Sequence, residues 1–595
     1  MKFQLIFNLF SKKEKKQLII VLFALLIMGF IELIGIGSIG PFISIITNPS
    51  IIHSNTYLAA LNGFFKFSSD NEFIVFFGVA VIIVLALSNL CLSGVNLLIN
   101  YYSGKRRHSF SMRLFERYIR QQYVFFLDTN SAILLRNMEN INTFASDILI
   151  NLLNLISGII ISFCIIILLI IINPLLALII SSFLGVSYLG IFQVIKNILA
   201  RKGAEKHRIN ILRYKYLNEA FGGIKDIKIL CKERTFLDLY REPSLKYSVN
   251  DAIGNSINDL PRYLIETLAI GGMILVIILM VYSGAKLEQL LPTLTVYVFG
   301  AYRLLPLLQK IFRAFTTIRY HYSIVENLDK DFNSLPEGAE LVNDATLPKL
   351  EFTSSITLKN ITFLYPNSEK TIIDNVSLKI EHNTSIAFAG STGCGKTTLA
   401  DIILCLLAPQ KGEIIIDNTK IDESNRHNWQ KNLGYVPQSI YLTDDTIRNN
   451  IAFGVHPEKI DDEAVKKAAK LANIDDFISH ELPEKYDTVT GEQGVRLSGG
   501  QRQRIGIARA VYHDPSVLIF DEATSALDSL TENAIMDAIN SMSHKKTIII
   551  IAHRITTIKD CDLIYLMDKG TITDSGNFND LYERNSVFRK MAEGS

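Results

Sequence analysis

A phosphate-binding loop at residues 390–398 constrains the fold of this chain more than any other feature of its sequence. The stretch Gly390-Ser-Thr-Gly-Cys-Gly-Lys-Thr-Thr398 follows the apolar run 385–389 and precedes the apolar run 399–407. This order of strand, glycine-rich loop and helix turns backbone N–H groups and the positive end of a helix toward phosphate oxygens. The alternative is a chance glycine turn before a helix, which the motifs described below disfavour.

Every residue of this loop is a candidate ATP contact, and two of them have a further role. The candidates are Gly390, Ser391, Thr392, Gly393, Cys394, Gly395, Lys396, Thr397 and Thr398. The ammonium group of Lys396 can reach the terminal phosphates, and the hydroxyl of Thr397 can bind Mg²⁺.

Two further apolar runs are predicted to be buried strands that end in polar residues. Val517–Phe520 is followed by Asp521 and Glu522. We expect Asp521 to hold the hydration shell of Mg²⁺, and Glu522, pointing elsewhere, to polarise the attacking water. Thr547–Ile551 is followed by His553, which can contact the terminal phosphate. A single histidine at a strand end is more often structural, so its assignment depends on the whole set of motifs.

Three weaker signals complete this set. Tyr365 ends a predicted strand and can stack on an adenine ring, although a structural tyrosine is the alternative. Gln438, after another strand, can complete the Mg²⁺ shell or position water. The stretch Leu497-Ser-Gly-Gly-Gln501 precedes a predicted helix and leaves backbone donors free for a second phosphate contact. Its candidate ATP contacts are Ser498, Gly499, Gly500 and Gln501.

The composition differs between the two halves of the 595-residue chain. Residues 18–310 contain long uncharged apolar runs, whereas residues 350–595 have the composition of a soluble α/β protein. The net charge of +2 gives no indication of a nucleic-acid partner. The six cysteines are scattered without a CxxC pair, so we interpret them as reduced thiols that form neither disulfides nor a metal site.

Six apolar stretches are long enough to cross a membrane as helices, which requires about 20 residues each. They lie at roughly 18–46, 73–100, 148–172, 175–195, 260–283 and 287–309. We therefore predict a multidomain chain with an all-α, six-span membrane domain at 1–325 and a linker at 326–349. An α/β P-loop ATPase domain with an α-helical subdomain is predicted at 350–595.

Lysine and arginine are concentrated in the N-terminal segment and in the segments 101–127 and 196–258. The positive-inside rule then places both termini and these segments in the cytoplasm. Residues 101–147 and 196–259 are predicted to continue as helices out of the membrane. They either transmit force from a soluble motor or lie as basic helices near anionic headgroups.

An amphipathic segment and four ionisable residues stand out in the membrane half. The apolar residues Tyr57, Leu58, Leu61, Phe64 and Phe65 share one helical face, which suits either the outer headgroup layer or loop packing. The ionisable residues of the predicted spans are Glu32, Arg262, Glu266 and Arg303. They form either a structural Glu–Arg network or a cavity in which the arginines bind an anionic headgroup such as a pyrophosphate.

Residues 350–595 resemble the nucleotide-binding domain of ABC transporters. The matching motifs are the A-loop Tyr365, the Walker A loop 390–398, the Q-loop Gln438, the signature 497–501, the Walker B strand ending at Asp521 and Glu522, the D-loop Ser525–Asp528 and the switch His553. The resemblance implies hydrolysis of ATP with Mg²⁺. Six spans followed by a motor are similar to ABC exporters, which implies a half-transporter that forms a homodimer with two shared ATP sites.

The membrane half is similar to the PglK-type family of lipid-linked oligosaccharide flippases. The resemblance rests on Phe30–Leu33, Pro261–Glu266, Tyr302–Pro306 and the amphipathic outer segment. It implies that Arg262 and Arg303 contact a lipid pyrophosphate and that the outer segment contacts a polyprenyl tail. An arginine of that family's second span has no counterpart here, where the sequence reads Leu87-Ser-Asn-Leu90.

These observations predict a multi-pass exporter in the cytoplasmic membrane of a bacterium, driven by ATP and Mg²⁺. The expected partners are a second copy, membrane lipid and a lipid-linked oligosaccharide, with a general lipid, drug or peptide cargo as the alternative. An ATP-gated channel is a rival that an intact Glu522 disfavours. A soluble ATPase that acts on DNA is excluded by the six spans, and the exporter order disfavours an importer subunit.

Overall fold

The computed structural model describes residues 3–172, 174–282, 287–335, 347–366, 368–491, 494–522, 529–552 and 554–593. In parts of 175–207 and 255–294, and at residues 3, 131, 132, 334 and 529–531, only the backbone is described. The chain divides into two compact units. The first contains residues 1–121 and 129–338, and the second contains residues 122–128 and 339–595.

The N-terminal half of the chain forms helices, and the predicted spans fall on its long helices. The helices are α1 (Phe3–Asn8), α2 (Lys12–Gly37), α3 (Ile39–Thr47), α4 (Ile51–Ser54), α5 (Thr56–Phe65), α6 (Asp70–Ile119), α7 (Tyr123–Asp128), α8 (Ser131–Thr143), α9 (Ile150–Ile172), α10 (Pro174–Gly222), α11 (Ile224–Ile229), α12 (Glu233–Tyr282) and α13 (Leu287–Ser334). A π-helical turn at Phe144–Leu149 joins α8 to α9.

Three helical stretches among the described residues are long and apolar enough to cross a membrane. They are Lys12–Thr47, Asp70–Ile119 and Ile133–Ile172. The remaining predicted spans, 175–195, 260–283 and 287–309, lie in α10, α12 and α13, whose side chains are only partly described. The first unit is therefore a membrane-embedded helical domain, as its apolar runs predict.

Glycine permits close packing between the helices of this domain. A methyl group at Gly158 of α9 would lie 2.7 Å from Cγ1 of Ile311 on α13. A methyl group at Gly29 of α2 would lie 2.8 Å from Cγ2 of Ile160 on α9. Small residues let helix backbones approach each other in membranes, where association depends on van der Waals contact rather than on the hydrophobic effect.

The two long polar segments of the membrane half are helical. Helix α6 continues to Ile119, and α10 and α12 flank the short helix α11. Lys202 of α10 donates to the Asn250 side chain of α12 at 2.9 Å, and Arg213 donates to the hydroxyl of Tyr240 at 3.2 Å. These bonds hold the extensions of α10 and α12 against each other.

The amphipathic segment 57–65 forms helix α5. Tyr57 and Phe64 are about four-fifths exposed, whereas Leu58 packs on a small cluster with Ile45, Ile52 and Phe73. One side of α5 is thus held by packing, and its aromatic residues face outward.

The second unit contains two β-sheets. Its strands are β1 (Ser355–Leu364), β2 (Thr371–Glu381), β3 (Ser385–Gly390), β4 (Lys411–Ile416), β5 (Thr419–Lys420), β6 (Leu433–Val436), β7 (Val517–Asp521), β8 (Thr547–Ile551), β9 (Leu563–Asp568) and β10 (Thr571–Gly576). One sheet is antiparallel in the order β2-β1-β4-β5. The other has the order β10-β9-β3-β8-β7-β6, in which all neighbours except β10 and β9 are parallel.

Helices and two clusters of buried apolar residues complete the second unit. The helices are α14 (Lys396–Ile403), α15 (Arg426–Gln430), α16 (Ile447–Ile451), α17 (Asp462–Leu471), α18 (Gly499–Val511), α19 (Ser529–Met542), α20 (Phe578–Arg584) and α21 (Ser586–Glu593). Strands β7 and β8 are buried at every position, as expected for parallel strands covered on both faces. The predicted α/β ATPase fold and its helical part, α16–α18, are confirmed.

Candidate functional site

The parallel sheet brings the predicted catalytic motifs to one edge. Strand β3 ends at Gly390, β7 ends at Asp521, β6 ends two residues before Gln438, and β8 ends two residues before His553. The register pairs Asp521 with Ile551, and Phe388 with the same Ile551. Ligands of open α/β sheets bind at the carboxyl ends of the strands. Topology alone therefore gathers residues that are far apart in sequence.

The phosphate-binding loop has the backbone conformation that only glycine adopts easily. Gly390, Gly393 and Gly395 have φ of +152°, +79° and +108°. A methyl group at Gly395 would also lie 2.7 Å from Cδ1 of Ile373, and one at Gly390 would collide with the backbone oxygen of Met567. Other residues are strained at such angles, and here they would also clash.

The positively charged ammonium group of Lys396 lies against this loop. The side chain is buried, and its ammonium group donates to the carbonyl oxygens of Gly390 at 2.8 Å and Ser391 at 3.1 Å. Loop and ammonium group therefore form a compact cationic cradle at the start of α14. The residues present fit a nucleoside triphosphate, because backbone donors, a helix N-terminus and an ammonium group converge at one place.

The residues expected to hold Mg²⁺ are oxygen donors of the kind that this ion prefers. Thr397 is exposed in the first turn of α14, and Asp521 is 5% exposed at the end of β7. Tyr435, on β6, donates its hydroxyl to Oδ2 of Asp521 at 3.4 Å. This bond fixes the carboxylate at the sheet edge.

Tyr365 lies beside the phosphate-binding loop. Its hydroxyl is 3.3 Å from Oγ1 of Thr398, and its ring makes an edge contact with Phe363 at 5.1 Å between centroids. These contacts place Tyr365 next to the first turn of α14.

Gln438 and Glu522 are joined directly. The amide of Gln438 donates to Oε2 of Glu522. Glu522 has a φ of +51°, in the left-handed region, and its backbone N–H donates to the carbonyl oxygen of Ile551 at 3.1 Å. A left-handed conformation is costly for a residue with a side chain and is concentrated at functional sites. The Glu522 side chain accepts from Gln438, whereas that of Asp521 accepts from Tyr435.

The signature residues 497–501 lead into α18, which begins at Gly499. Ser498 caps the helix: its hydroxyl accepts from the N–H of Gln501 at 3.2 Å, and the side chain of Gln501 accepts from the N–H of Ser498 at 2.8 Å. Ser498 and Gly499 are exposed. The segment thus presents a preformed helix start at the surface. His553 and the D-loop, 525–528, lie outside the described residues.

Three further residues lie on or near the phosphate-binding helix α14, and the sequence analysis did not single them out. Asp401 lies on α14, Tyr435 lies on β6, and Tyr123 lies on α7 within the same unit. Burial, and then the negative charge of Asp521, raises the pKa of Asp401 to about 6. Burial, and then Asp401, raises the pKa of Tyr123. A carboxylate within the apolar second half of α14, Leu399–Ile403, is the signal that identifies Asp401.

We expect Asp401→Asn to stabilise the second unit at pH 8 but not at pH 4. An acid with a raised folded-state pKa binds its proton more tightly when folded, so its charge destabilises the fold increasingly from about pH 4 to pH 6 and constantly above. Allowing for partial exposure, the gain at pH 8 is about 1 kcal/mol. Thermal unfolding of the full chain at both pH values measures it, with the exposed Asp537→Asn as control. A gain that is equal at both pH values would contradict the explanation.

A buried ion pair links three helices of the membrane domain. Oε1 of Glu32, on α2, lies 3.1 Å from Nε of Arg303, on α13. From α6, Ser88 donates to Oε2 of Glu32 at 2.6 Å, and Asn89 accepts from Nη2 of Arg303 at 2.9 Å. The Glu32 side chain is 3% exposed, whereas that of Arg303 is 29% exposed.

This arrangement bears on both interpretations of the ionisable residues. Glu32 and Arg303 do form an interhelical network, yet the Arg303 side chain remains partly exposed. Ser88 and Asn89 belong to the segment in which the resembled flippase family has an arginine. Glu266 is exposed on α12, and the side chain of Arg262, also on α12, lies outside the described residues.

Comparisons with known proteins cover both halves of the chain. The family model of the ABC transporter transmembrane region matches residues 18–250, and that of the ABC transporter matches residues 373–525. An ATP-dependent lipid A-core flippase of Pseudomonas fluorescens is 38% identical over 269 residues, which are 45% of this chain and 43% of that protein. A protein of the same name from Saccharophagus degradans is 42% identical over 236 residues, 40% of each chain.

Two further similarities concern a differently named protein and a solved structure. The heterocyst differentiation ATP-binding protein HepA of a Nostoc species is 40% identical over 230 residues, which are 39% of this chain and 37% of HepA. The matches therefore span about two fifths of the length of these relatives. A bacterial Atm1-family ABC exporter with ATP bound shares the fold, with a TM-score of 0.75 and 22% identity over 98% of both chains.

The two matched regions occur in the order membrane region and then ATPase domain, and the second belongs to the motor domains of a translocase family. The exporter fold extends over nearly the whole chain. The chain therefore belongs to the ABC transporters and has the fold of an ABC exporter.

Proposed function

We propose that two copies of this chain form an ATP-driven exporter that moves a lipid-linked oligosaccharide of the polyprenyl-pyrophosphate type across the bacterial cytoplasmic membrane. The observation that carries the proposal is the convergence of the loop 390–398, Asp521 and the Gln438–Glu522 pair at one sheet edge, in a chain that also has a membrane domain. A general lipid exporter is the second candidate, because two relatives are named as flippases of a lipid.

Each candidate residue of the second unit, which we call the ATPase unit, has a proposed role in ATP binding or hydrolysis. The loop 390–398 and Lys396 bind the phosphates, and Tyr365 stacks on the base. Thr397, Gln438 and Asp521 would hold Mg²⁺, which when bound neutralises charge on the phosphate oxygens. Glu522 accepts a proton from the attacking water, and Gln438 orients its carboxylate. His553 is proposed to contact the terminal phosphate.

Ser498–Gln501 of one copy is proposed to complete the site of the other. The exposed start of α18 offers backbone donors, and a nucleotide held between this turn and the loop 390–398 closes the two motors together. The helical extensions then transmit closure to the spans. We propose that both termini and the extensions lie in the cytoplasm, because lysine and arginine are concentrated in these segments.

The cluster of Glu32, Ser88, Asn89 and Arg303 is the proposed contact for the cargo headgroup. A guanidinium that is already held by Glu32 and Asn89 keeps a fixed orientation, and because the Arg303 side chain is partly exposed, we propose that its remaining N–H groups donate to phosphate oxygens. Arg262 and Glu266 are proposed to line the same cavity. The aromatic face of α5 is proposed to contact the lipid tail.

Flipping of a fluorescent polyprenyl-pyrophosphate oligosaccharide in vesicles tests the cargo assignment. We expect Arg303→Gln to lower the number of lipids flipped per ATP by about tenfold, because charge-assisted hydrogen bonds contribute about 1.5–3 kcal/mol. Since this change leaves Glu32 buried without its partner, the double variant Glu32→Gln/Arg303→Gln serves as the control. Both variants are expected to show this reduction of about tenfold.

Two outcomes would contradict this proposal in different ways. Wild-type flipping in both variants would exclude contact between Arg303 and the pyrophosphate. Equal flipping of a lipid with an uncharged headgroup would favour the general lipid exporter instead.

A further inference from the structure

The start of α2 is oriented by one buried carboxylate. Glu14 lies 2.8 Å from Nη1 of Arg106 on α6, accepts from the hydroxyl of Ser109 at 2.8 Å, and accepts from the N–H of Ser11 at 2.8 Å. Its side chain is 4% exposed. Because Glu14 is fixed against α6, the opposite side of α2 must face away from the protein.

Lysines occupy this outward side of α2. At 100° per residue, Lys12 and Lys16 lie about 160° from Glu14 around the helix. Both are exposed, and the same stripe continues through Ile19 and Phe23, each 63% exposed. The outward face thus changes from charged to apolar within one turn, between residues 16 and 19.

Helix α6 also changes from apolar to charged on an exposed face, in the turns that lie beside the start of α2. Leu97 and Tyr101 are exposed, and the ammonium group of Lys105 lies 4.6 Å from the centre of the Tyr101 ring. The hydroxyl of Tyr102 donates to the carbonyl oxygen of Glu14 at 3.3 Å, so this turn of α6 lies beside the first turns of α2. Aromatic and basic residues at the end of an apolar face are typical of a membrane–water interface.

Together these cations form what we call the basic belt, which consists of Lys12, Lys13, Lys15, Lys16, Lys105 and Arg107. Within the described parts of the chain, no ion pair joins a member of the belt to a carboxylate. The nearest acidic group on α2, Glu14, is occupied by Arg106 and Arg113. The belt therefore carries uncompensated positive charge next to an apolar face.

We propose that the basic belt binds the phosphate groups of anionic phospholipids, whose acyl chains lie on the exposed apolar stripes of α2 and α6. A helix face that contacts only water needs no apolar stripe next to its charges. A phospholipid needs a cation for its phosphate group and, within one helical turn, an apolar surface for its acyl chains. The proposed orientation places this lipid in the cytoplasmic leaflet. The preference for an anionic headgroup does not depend on the cargo or on hydrolysis.

Photolabelling of the full chain in phosphatidylcholine vesicles tests this site. The probes are phosphatidylglycerol and phosphatidylcholine with the same photoactivatable acyl chain, and the readout is labelling of peptides within 17–30 and 90–104. We expect phosphatidylglycerol to label them more strongly. Lys12→Gln/Lys16→Gln should lower the ratio of the two labels at least about fivefold, the effect of one surface cation, and added salt should also lower it.

Three controls make this result decisive. Lys12→Arg/Lys16→Arg keeps the charge and should keep the ratio. Lys225→Gln/Lys232→Gln removes the same charge near α11 and should also keep it. Soluble glycerol phosphate should not compete, and competition would indicate a site for free phosphate instead. A ratio near one in the wild type, or an unchanged ratio in Lys12→Gln/Lys16→Gln, would overturn the proposal.

Discussion

Replacing Glu522 with glutamine is expected to lower steady-state ATP turnover by about 10²–10⁴-fold, the usual contribution of a general base. Glutamine keeps the size of the side chain but cannot accept the proton of the attacking water. The phosphate-binding loop and Lys396 are untouched, so ATP binding should persist. Turnover by purified chain in vesicles, and binding of a fluorescent ATP analogue, measure the two effects separately.

A matched control distinguishes loss of the base from loss of a negative charge. Glu413→Gln makes the same chemical change at a partly exposed pair with Lys420, 2.9 Å away, and should leave turnover within about twofold, because surface pairs contribute little. Turnover of Glu522→Gln within about tenfold of wild type would contradict the assigned role. Glu522→Gln also distinguishes an exporter from an ATP-gated channel. An exporter with this change stops moving cargo, whereas an ATP-gated channel still opens when ATP binds.

The sequence was sufficient to predict the ATPase fold and the location of its candidate site. Strands such as Val517–Asp521 and Thr547–Ile551 are continuous apolar runs, and parallel strands bring their carboxyl ends to one edge whatever the intervening sequence. Short motifs at those ends therefore specify a site without knowledge of any distant contact. The interhelical pairing of Glu32 with Arg303 remained one of two alternatives.

What the sequence did not predict depends on contacts between distant residues. Ser88 and Asn89 are polar residues in an apolar span, and only helix packing shows that they complete the Glu32–Arg303 network. Likewise, residues 122–128 belong to the ATPase unit, where Val124 packs on the core beneath the sheets. Periodicity identifies which face of a helix is apolar but not which helix covers it.

Glu14 also depends on contacts with residues distant in the sequence. Its removal is expected to have the second large effect, on the stability of the start of α2. It is the carboxylate between Arg106, 10% exposed, and Arg113, 33% exposed. Among the described residues, Nε of Arg106 is already buried without a hydrogen-bond partner. Glu14→Ala would leave two guanidinium groups uncompensated, and breaking a buried pair in this way costs about 3–5 kcal/mol.

Hydrogen exchange of the amides near residue 14 measures this loss as local opening that is at least about 100-fold faster. The control is Glu116→Ala on α6, which removes a partly exposed pair with Arg120, whose side chains are 40% and 25% exposed, and should change exchange by no more than about fivefold. Arg106→Met in the Glu14→Ala background should recover part of the protection, because a buried cation without a partner costs more than an apolar side chain. If Glu14→Ala exchanges no faster than Glu116→Ala, solvent rather than Glu14 compensates these arginines, and a different contact orients the start of α2.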